Sequence, residues 1–199
     1  MNETCGGPSA EFCCNLKELG LYGNSEISNV EAPIARARVS DFRRLKNIVP
    51  FSSTSFHYLK KLEVDGSDVL ISLLTPSTAR ILVQLKQIRI SACKRMRVIV
   101  ANERSEAKAG DEIAFNNLTC LELMDLSSLR AFHLGNRTIK FPSLDSVFVN
   151  NCPRLKIFCS GVLSTPKITL FSMEAKRITK MKGDGDVDLN ATIKEYWEG

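Results

Sequence analysis

The chain has 199 residues, 44% hydrophobic and 25% charged, with a formal net charge of +5. That balance suits one sizeable core in one or two compact domains, and the basic excess is too small to argue for nucleic acid by itself. The polar start MNETCGGPSAEF and the absence of a long apolar run predict neither a secretory leader nor a membrane span, so the seven cysteines are expected to be reduced thiols in an intracellular chain.

Residues 1–15 show no periodic pattern and are expected to form an N-terminal cap or tail. From Leu16 onward one grid recurs, with apolar residues or Cys at offsets 0, 3, 5, 8 and 11. It is complete in Leu85, Ile88, Ile90, Cys93 and Met96, and again in Leu118, Leu121, Leu123, Leu126 and Leu129. It is complete also in Leu144, Val147, Val149, Cys152 and Leu155, and in Ile34, Ala37, Val39, Phe42 and Leu45. Weaker copies start at Leu16 and Leu59, and a truncated one is Ile168, Phe171 and Met173. Successive starts lie 18, 25, 26, 33, 26 and 24 residues apart, mostly within or near the leucine-rich-repeat range.

Amphipathic helices would share offsets 0, 3, 8 and 11, but offset 5 falls about 140° from offset 0 on a helix. Strand alternation instead puts offsets 3 and 5 on one side, and the β-branched pairs Ile88/Ile90 and Val147/Val149 favour strand. A single unit cannot bury its own apolar face, whereas stacked units share a continuous core. The expected fold is therefore an α/β leucine-rich-repeat solenoid, a horseshoe with a parallel β-sheet on its concave face and an irregular or short-helical convex side. About seven repeats span 16–181. The 33-residue spacing contains a charged insertion, 101–114, expected to project as a solvated loop or short polar helix. Residues 182–199 break the grid and are expected to be a C-terminal cap, with Ile193, Tyr196 and Trp197 packing a last helix on the final coil. Cys93 and Cys152 fill the slot where each repeat leaves its strand, which suits a small buried thiol.

If offsets 3 and 5 point inward, offsets 2, 4 and 6 point out from the same strand. The residues so placed and expected to contact a protein partner are Arg36, Arg38, Lys61, Glu63, Asp65, Gln87, Arg89, Glu122, Met124, Phe148 and Asn150. Phe148 and Met124 are expected to be exposed, and with Arg89 they make the strongest anchors, since aromatic and Arg side chains dominate interface energies.

Other chemistry reads weakly. Asp184, Asp186, Asp188 and Glu195 fall at positions 1, 3, 5 and 12 of a calcium loop, but Leu189 stands where the sharp turn needs Gly. An acidic turn before a helix is the simpler reading. His57 and His133 have no nucleophile or metal spacing around them and are expected at surface or turn positions. The Asn-x-Ser/Thr sites at Asn2, Asn117, Asn136 and Asn190 matter only in a secreted chain. In RARVSDFRRLK, Arg36 and Arg38 leave the strand while Arg43 and Arg44 lie past the turn, so the charges divide between two surfaces. No catalytic residue, cofactor or metal is predicted, and the chain is not expected to be an enzyme.

The apolar series with its charged insertion, then NLTCLELMDLSSLRAF, FPSLDSVFVNNCPRLKIFCSG and DLNATI, resembles one group. It is the C-terminal leucine-rich-repeat region of plant coiled-coil nucleotide-binding disease-resistance receptors, and the resemblance covers about residues 56–196. It implies recognition of a pathogen effector or a guarded host protein, restraint of a nucleotide-binding domain of the same or a related receptor, and a cytoplasmic site, with membrane-peripheral or nuclear locations open. The sequence contains no GxxxxGK[ST] loop and so cannot switch on ATP alone. Nucleic-acid or anionic-surface binding through the basic early repeats is the alternative, as is a non-signalling remnant or decoy.

Overall fold

The computed structural model describes residues 18–22, 36–40, 55–102, 111–165, 168, 170–173, 177–179 and 188–198. The expected N-terminal cap, the middle of the insertion, Arg43, Arg44, Asp184 and Asp186 lie outside the described residues.

Every copy of the grid supplies one strand to a single eight-stranded sheet. Its strands are β1 (Glu18–Tyr22), β2 (Arg36–Ser40), β3 (Lys61–Asp65), β5 (Gln87–Ser91), β8 (Cys120–Met124), β11 (Ser146–Asn150), β13 (Leu170–Met173) and β14 (Arg177–Thr179). They lie side by side in that order, all parallel except β14, which pairs antiparallel with β13. Strands of consecutive coils pair with no slip, Leu62 opposite Ile88 opposite Leu121 opposite Val147, so each grid offset becomes a row across the sheet. The inward positions Leu62, Val64, Ile88, Ile90, Leu121, Leu123, Val147 and Val149 are at most 2% exposed. Removing each such side chain from water contributes roughly 1.5–3 kcal/mol, which fixes the register, because a slip of one residue would bring the whole row to the surface.

The return side is more β-rich than the sequence suggests. Strands β4 (Ser72–Leu74), β6 (Val98–Val100) and β9 (Ala131–His133) form a second parallel sheet, extended by a bridge from His133 to Cys159. Strands β7 (Glu112–Ala114), β10 (Thr138–Lys140) and β12 (Leu163–Ser164) form a third. The described coils are thus three-sided. The return leg after β3 carries the helix α1 (Pro76–Ile81), beside β7 in the place of a third strand. Its start is set by Pro76 and by the Thr75 hydroxyl, which accepts from Thr78 N at 3.2 Å. The insertion does not project along its whole length. Its last residues form β7, and Ile113 is fully buried because it pairs in register with Ile139 of the next coil.

Four phenylalanines stack within this core. Phe115 stacks on Phe141 at 5.3 Å and Phe132 on Phe158 at 5.1 Å, and the two columns meet edge to face at 5.2–5.8 Å. The repeat places them, one column just before the main strand and one in the middle of the second leg. Aromatic pairs in these arrangements add about 0.5–1.5 kcal/mol each beyond area burial.

Strands β3, β5, β8 and β11 are each followed by a left-handed residue at offset 7: Gly66, Ala92, Asp125 and Asn151, with φ of 68°, 53°, 55° and 50°. That conformation turns the chain off the sheet while keeping the ladder. Gly66 N donates to Ser91 O at 3.1 Å, Ala92 N to Met124 O at 3.1 Å and Asp125 N to Asn150 O at 2.9 Å. The Cys thiols sit immediately after it, where Cys93 donates back to Ser91 O at 3.3 Å and Cys152 to Asn150 O at 3.4 Å.

The helix α2 (Leu189–Glu198) closes the end of the second sheet. Asp188 caps it, its Oδ1 accepting from Asn190 N at 2.9 Å and Ala191 N at 3.2 Å. Leu189 and Ile193 are fully buried. Between them Asn190 acts as the missing next strand: its Oδ1 accepts from Phe158 N at 2.7 Å and Cys159 N at 3.0 Å, and its Nδ2 donates to Cys159 O at 2.9 Å.

Candidate recognition face

The parallel register turns offsets 2, 4 and 6 into three rows on the open face of the main sheet. The central row runs Arg38, Glu63, Arg89, Glu122, Phe148. One flanking row runs Arg36, Lys61, Gln87, Cys120, Ser146, and the other Ser40, Asp65, Ser91, Met124, Asn150. All eleven residues expected to contact a partner therefore share one face of one sheet, Arg36 and Arg38 being placed by backbone register.

Signs alternate along the central row, and Glu122 is where its polar contacts converge. The Arg89 guanidinium lies 3.5 Å from Glu122 Oε2, and Gln87 donates to Glu122 Oε1 at 2.8 Å. The Cys120 thiol contacts the same oxygen at 3.7 Å. Burial, followed by the Glu122 charge, pushes that thiol up to about 11, so it stays protonated at neutral pH and is a poor nucleophile. One coil earlier Ser91 donates to Asp65 Oδ1 at 2.5 Å. The Glu122 side chain is 20% exposed while that of Arg89 is 48% exposed, so the pair presents a cation outward on an anion held within the sheet surface.

Phe148 and Met124 are half-buried, not exposed as expected, because strand neighbours 4.7–4.9 Å or so away shelter both flanks of a side chain in a parallel sheet. They still form an apolar patch on the face, Phe148 opposite Glu122 and Met124 opposite Asn150. The more exposed apolar side chains lie elsewhere: Ile71, Val83, Leu134 and Val162 on the return legs, and Tyr58 before β3. Sequence reasoning missed these because the return legs do not alternate; β4 and β9 are buried at all three positions.

His133 corrects another expectation. It is fully buried in β9, not at a surface or turn position, with Nδ1 bonded to Val100 O at 3.0 Å. A carbonyl only accepts, so the proton sits on Nδ1. Burial, followed by the nearby Arg137 charge, lowers its pKa below the usual histidine value against the opposing Val100 bond. Across the third sheet Asp111 pairs with Arg80 and, at 3.1 Å, with the buried Arg137. Asp188 is a helix cap, and among the described residues no three His, Cys, Asp or Glu are grouped to hold a metal ion. Nor is any described helix long and apolar enough to cross a membrane.

Residues 33–165, well over half of the chain, match the family described as Plant disease resistance protein RPS2-like, leucine-rich repeats. Searches among curated proteins and among solved structures found no match. A leucine-rich-repeat solenoid is a recognition scaffold, and in this family its role is protein interaction in defence. With its repeats paired row for row over the matched segment, the chain belongs to the leucine-rich-repeat family of RPS2-like plant disease resistance proteins.

Proposed function

We propose that this chain is the partner-recognition region of a plant immune receptor, that it senses a pathogen effector or a guarded host protein, and that it restrains a nucleotide-binding switch domain. The observation that carries the reading is the open face of the main sheet. It sets an alternating charged row beside the apolar patch formed by Phe148 and Met124. Such a face suits a protein surface: Arg89 and Phe148 supply anchors, and Glu122, Gln87 and Asp65 supply polar groups that fix orientation. Alternating signs argue against a phosphate-tracking groove on this face, which needs one sign along its length. For restraint to be relieved, the partner must bind one receptor state better than the other.

The test is proximity labelling in plant cells with the native chain and with Arg89→Glu/Phe148→Ala, each with and without a nucleotide-binding domain supplied in trans. Partners lost in the variant, at a truncation cost of about 2 kcal/mol or more, sustain the reading. Partners retained by the variant would move recognition off this face.

A further inference from the structure

A second surface emerges only when the turns after the main strands are read by repeat position. Residues 92–97, 125–130 and 151–156 link the main sheet to the second sheet in three consecutive coils. These turns are held in stack at both ends. Ala92 N and Asp125 N bond to the next coil at one end, and Arg130 N bonds to Arg97 O at 2.8 Å at the other. Ser127 Oγ reaches Lys94 O at 3.4 Å between them. The turns carry Lys94, Arg95, Arg97, Arg130, Arg154 and Lys156, all exposed. Against these six cations stands a single anion, Asp125, which accepts from Asn151 Nδ2 at 2.8 Å. None of the six side chains forms an ion pair among the described residues. These three turns therefore hold a net +5, equal to the formal excess of the whole chain, and the turn of the preceding coil, 66–71, adds one exposed anion, Asp68, at the position of Lys94.

We propose that this flank is an electrostatic docking edge for an anionic phospholipid surface. Arg97 and Arg130 stack directly, and Lys156 occupies the same position, three residues before Cys159 as Arg130 is before His133. Neighbouring coils in a parallel sheet lie about 4.8 Å apart, so the cations form a straight ridge that a plane of headgroups meets along its whole length. Long Lys and Arg side chains reach a diffuse anionic surface without needing a pocket. The turns contain no aromatic residue on which nucleic-acid bases would stack and none to anchor a protein hot spot. Continuing the ridge, Ile71 occupies the row of Arg97 and is 43% exposed, an aliphatic side chain that the headgroup boundary accommodates. Docking by this edge leaves the open face of the main sheet to solvent, so the inference is independent of which protein that face binds.

Co-sedimentation of the full chain with phosphatidylcholine vesicles, with and without phosphatidylserine, tests the proposal. Binding is expected only to the anionic vesicles, to fall steeply with salt, and to survive millimolar inorganic phosphate, which a site for free phosphate would not. Each cation near an anionic leaflet is worth about fivefold in partition, so Arg97→Glu/Arg130→Glu/Lys156→Glu should lose at least roughly a hundredfold. The triple Gln variant, with charge removed but not reversed and its melting curve compared with that of the native chain, controls for folding and should show most of the loss. Equal binding to neutral vesicles, no binding to anionic ones, or a folded triple variant that binds as well as the native chain would overturn it. So would tighter, triple-sensitive binding to single-stranded RNA with vesicles ignored.

Discussion

Asn190→Ala should open the C-terminal end of the solenoid. The amide makes three hydrogen bonds, accepting from Phe158 N and Cys159 N and donating to Cys159 O, all within 2.7–3.0 Å. Alanine supplies none of them, and the neighbouring Leu189 and Ile193, both fully buried, hold the helix where water reaches the orphaned groups poorly. At about 1 kcal/mol net per bond the loss is ~3 kcal/mol, or ~2 if water re-satisfies one group. Because solenoid coils couple chiefly to their neighbours, the effect should concentrate at this end. Hydrogen exchange read by mass spectrometry should speed up about 30- to 150-fold in peptides covering 156–160 and 188–198, with little change around β3 to β5. The control is Thr192→Ala, which destroys the same Asn-Ala-Thr glycosylation signal but removes only the hydroxyl bond to Asp188 O. Should Asn190→Ala exchange no faster than Thr192→Ala, the amide is not what seals the sheet edge, and the strand-mimic reading fails.

Ala92→Gly should stabilise the chain by about 0.5–1 kcal/mol, since a left-handed alanine carries a Cβ penalty that glycine lacks, and a raised urea midpoint with unchanged slope would show it. Stability should fall as pH drops below about 6.5, because the unfolded chain protonates His133 while the buried ring, its pKa lowered, resists until lower pH. Within that window His133→Asn should flatten the pH dependence of the denaturation midpoint; an unaltered slope would assign the acid sensitivity elsewhere. Burial pushes the Cys93 and Cys152 thiols up to about 11, so at pH 8 iodoacetamide should label them only after unfolding, and rapid native labelling would contradict the packing.

The main sheet was legible in the sequence because its rule is strict. Period-two alternation within a fixed repeat admits one register, and all seven expected strand positions, from Glu18 to Leu170, became strands. The left-handed position at offset 7 is equally legible at Gly66, Asp125 and Asn151, residue types that tolerate it, though it lies outside the apolar grid. The return strands were not legible. At two or three residues they are too short for alternation, and Ser72–Leu74 and Ala131–His133 are buried on every side by the three-sided coil. His133 was misplaced for that reason: a polar residue inside a wholly buried strand looks like a turn residue until its carbonyl partner, 33 residues earlier, is known. Asn190 is similar, its three partners lying on another coil. The basic flank is hidden by local charge density, which favours 36–46, and shows only by repeat offset, which unites Arg97, Arg130 and Lys156.

Offset is therefore the coordinate that separates this molecule's surfaces. Positions 3, 5, 8 and 11 face the core, so among the described residues their chemistry is confined to apolar side chains and Cys, with Ser67 at position 8 the exception. Positions 2, 4 and 6 face out from the sheet, where Glu122 gathers Gln87 and Arg89 across coils into one connected polar lattice. Positions 9, 10 and 12 fall on the turn, beyond the left-handed residue, and there cations outnumber the one acid, Asp68, and form no ion pair among the described residues. The left-handed residue is what isolates the last two groups, since it swings the backbone off the sheet immediately after position 6. Charges on the turn and charges on the sheet can then vary without disturbing each other or the core, as residues that share no partners contribute almost additively. A repeat under this constraint can carry a recognition face and a docking edge at once, with the same five apolar positions supporting both.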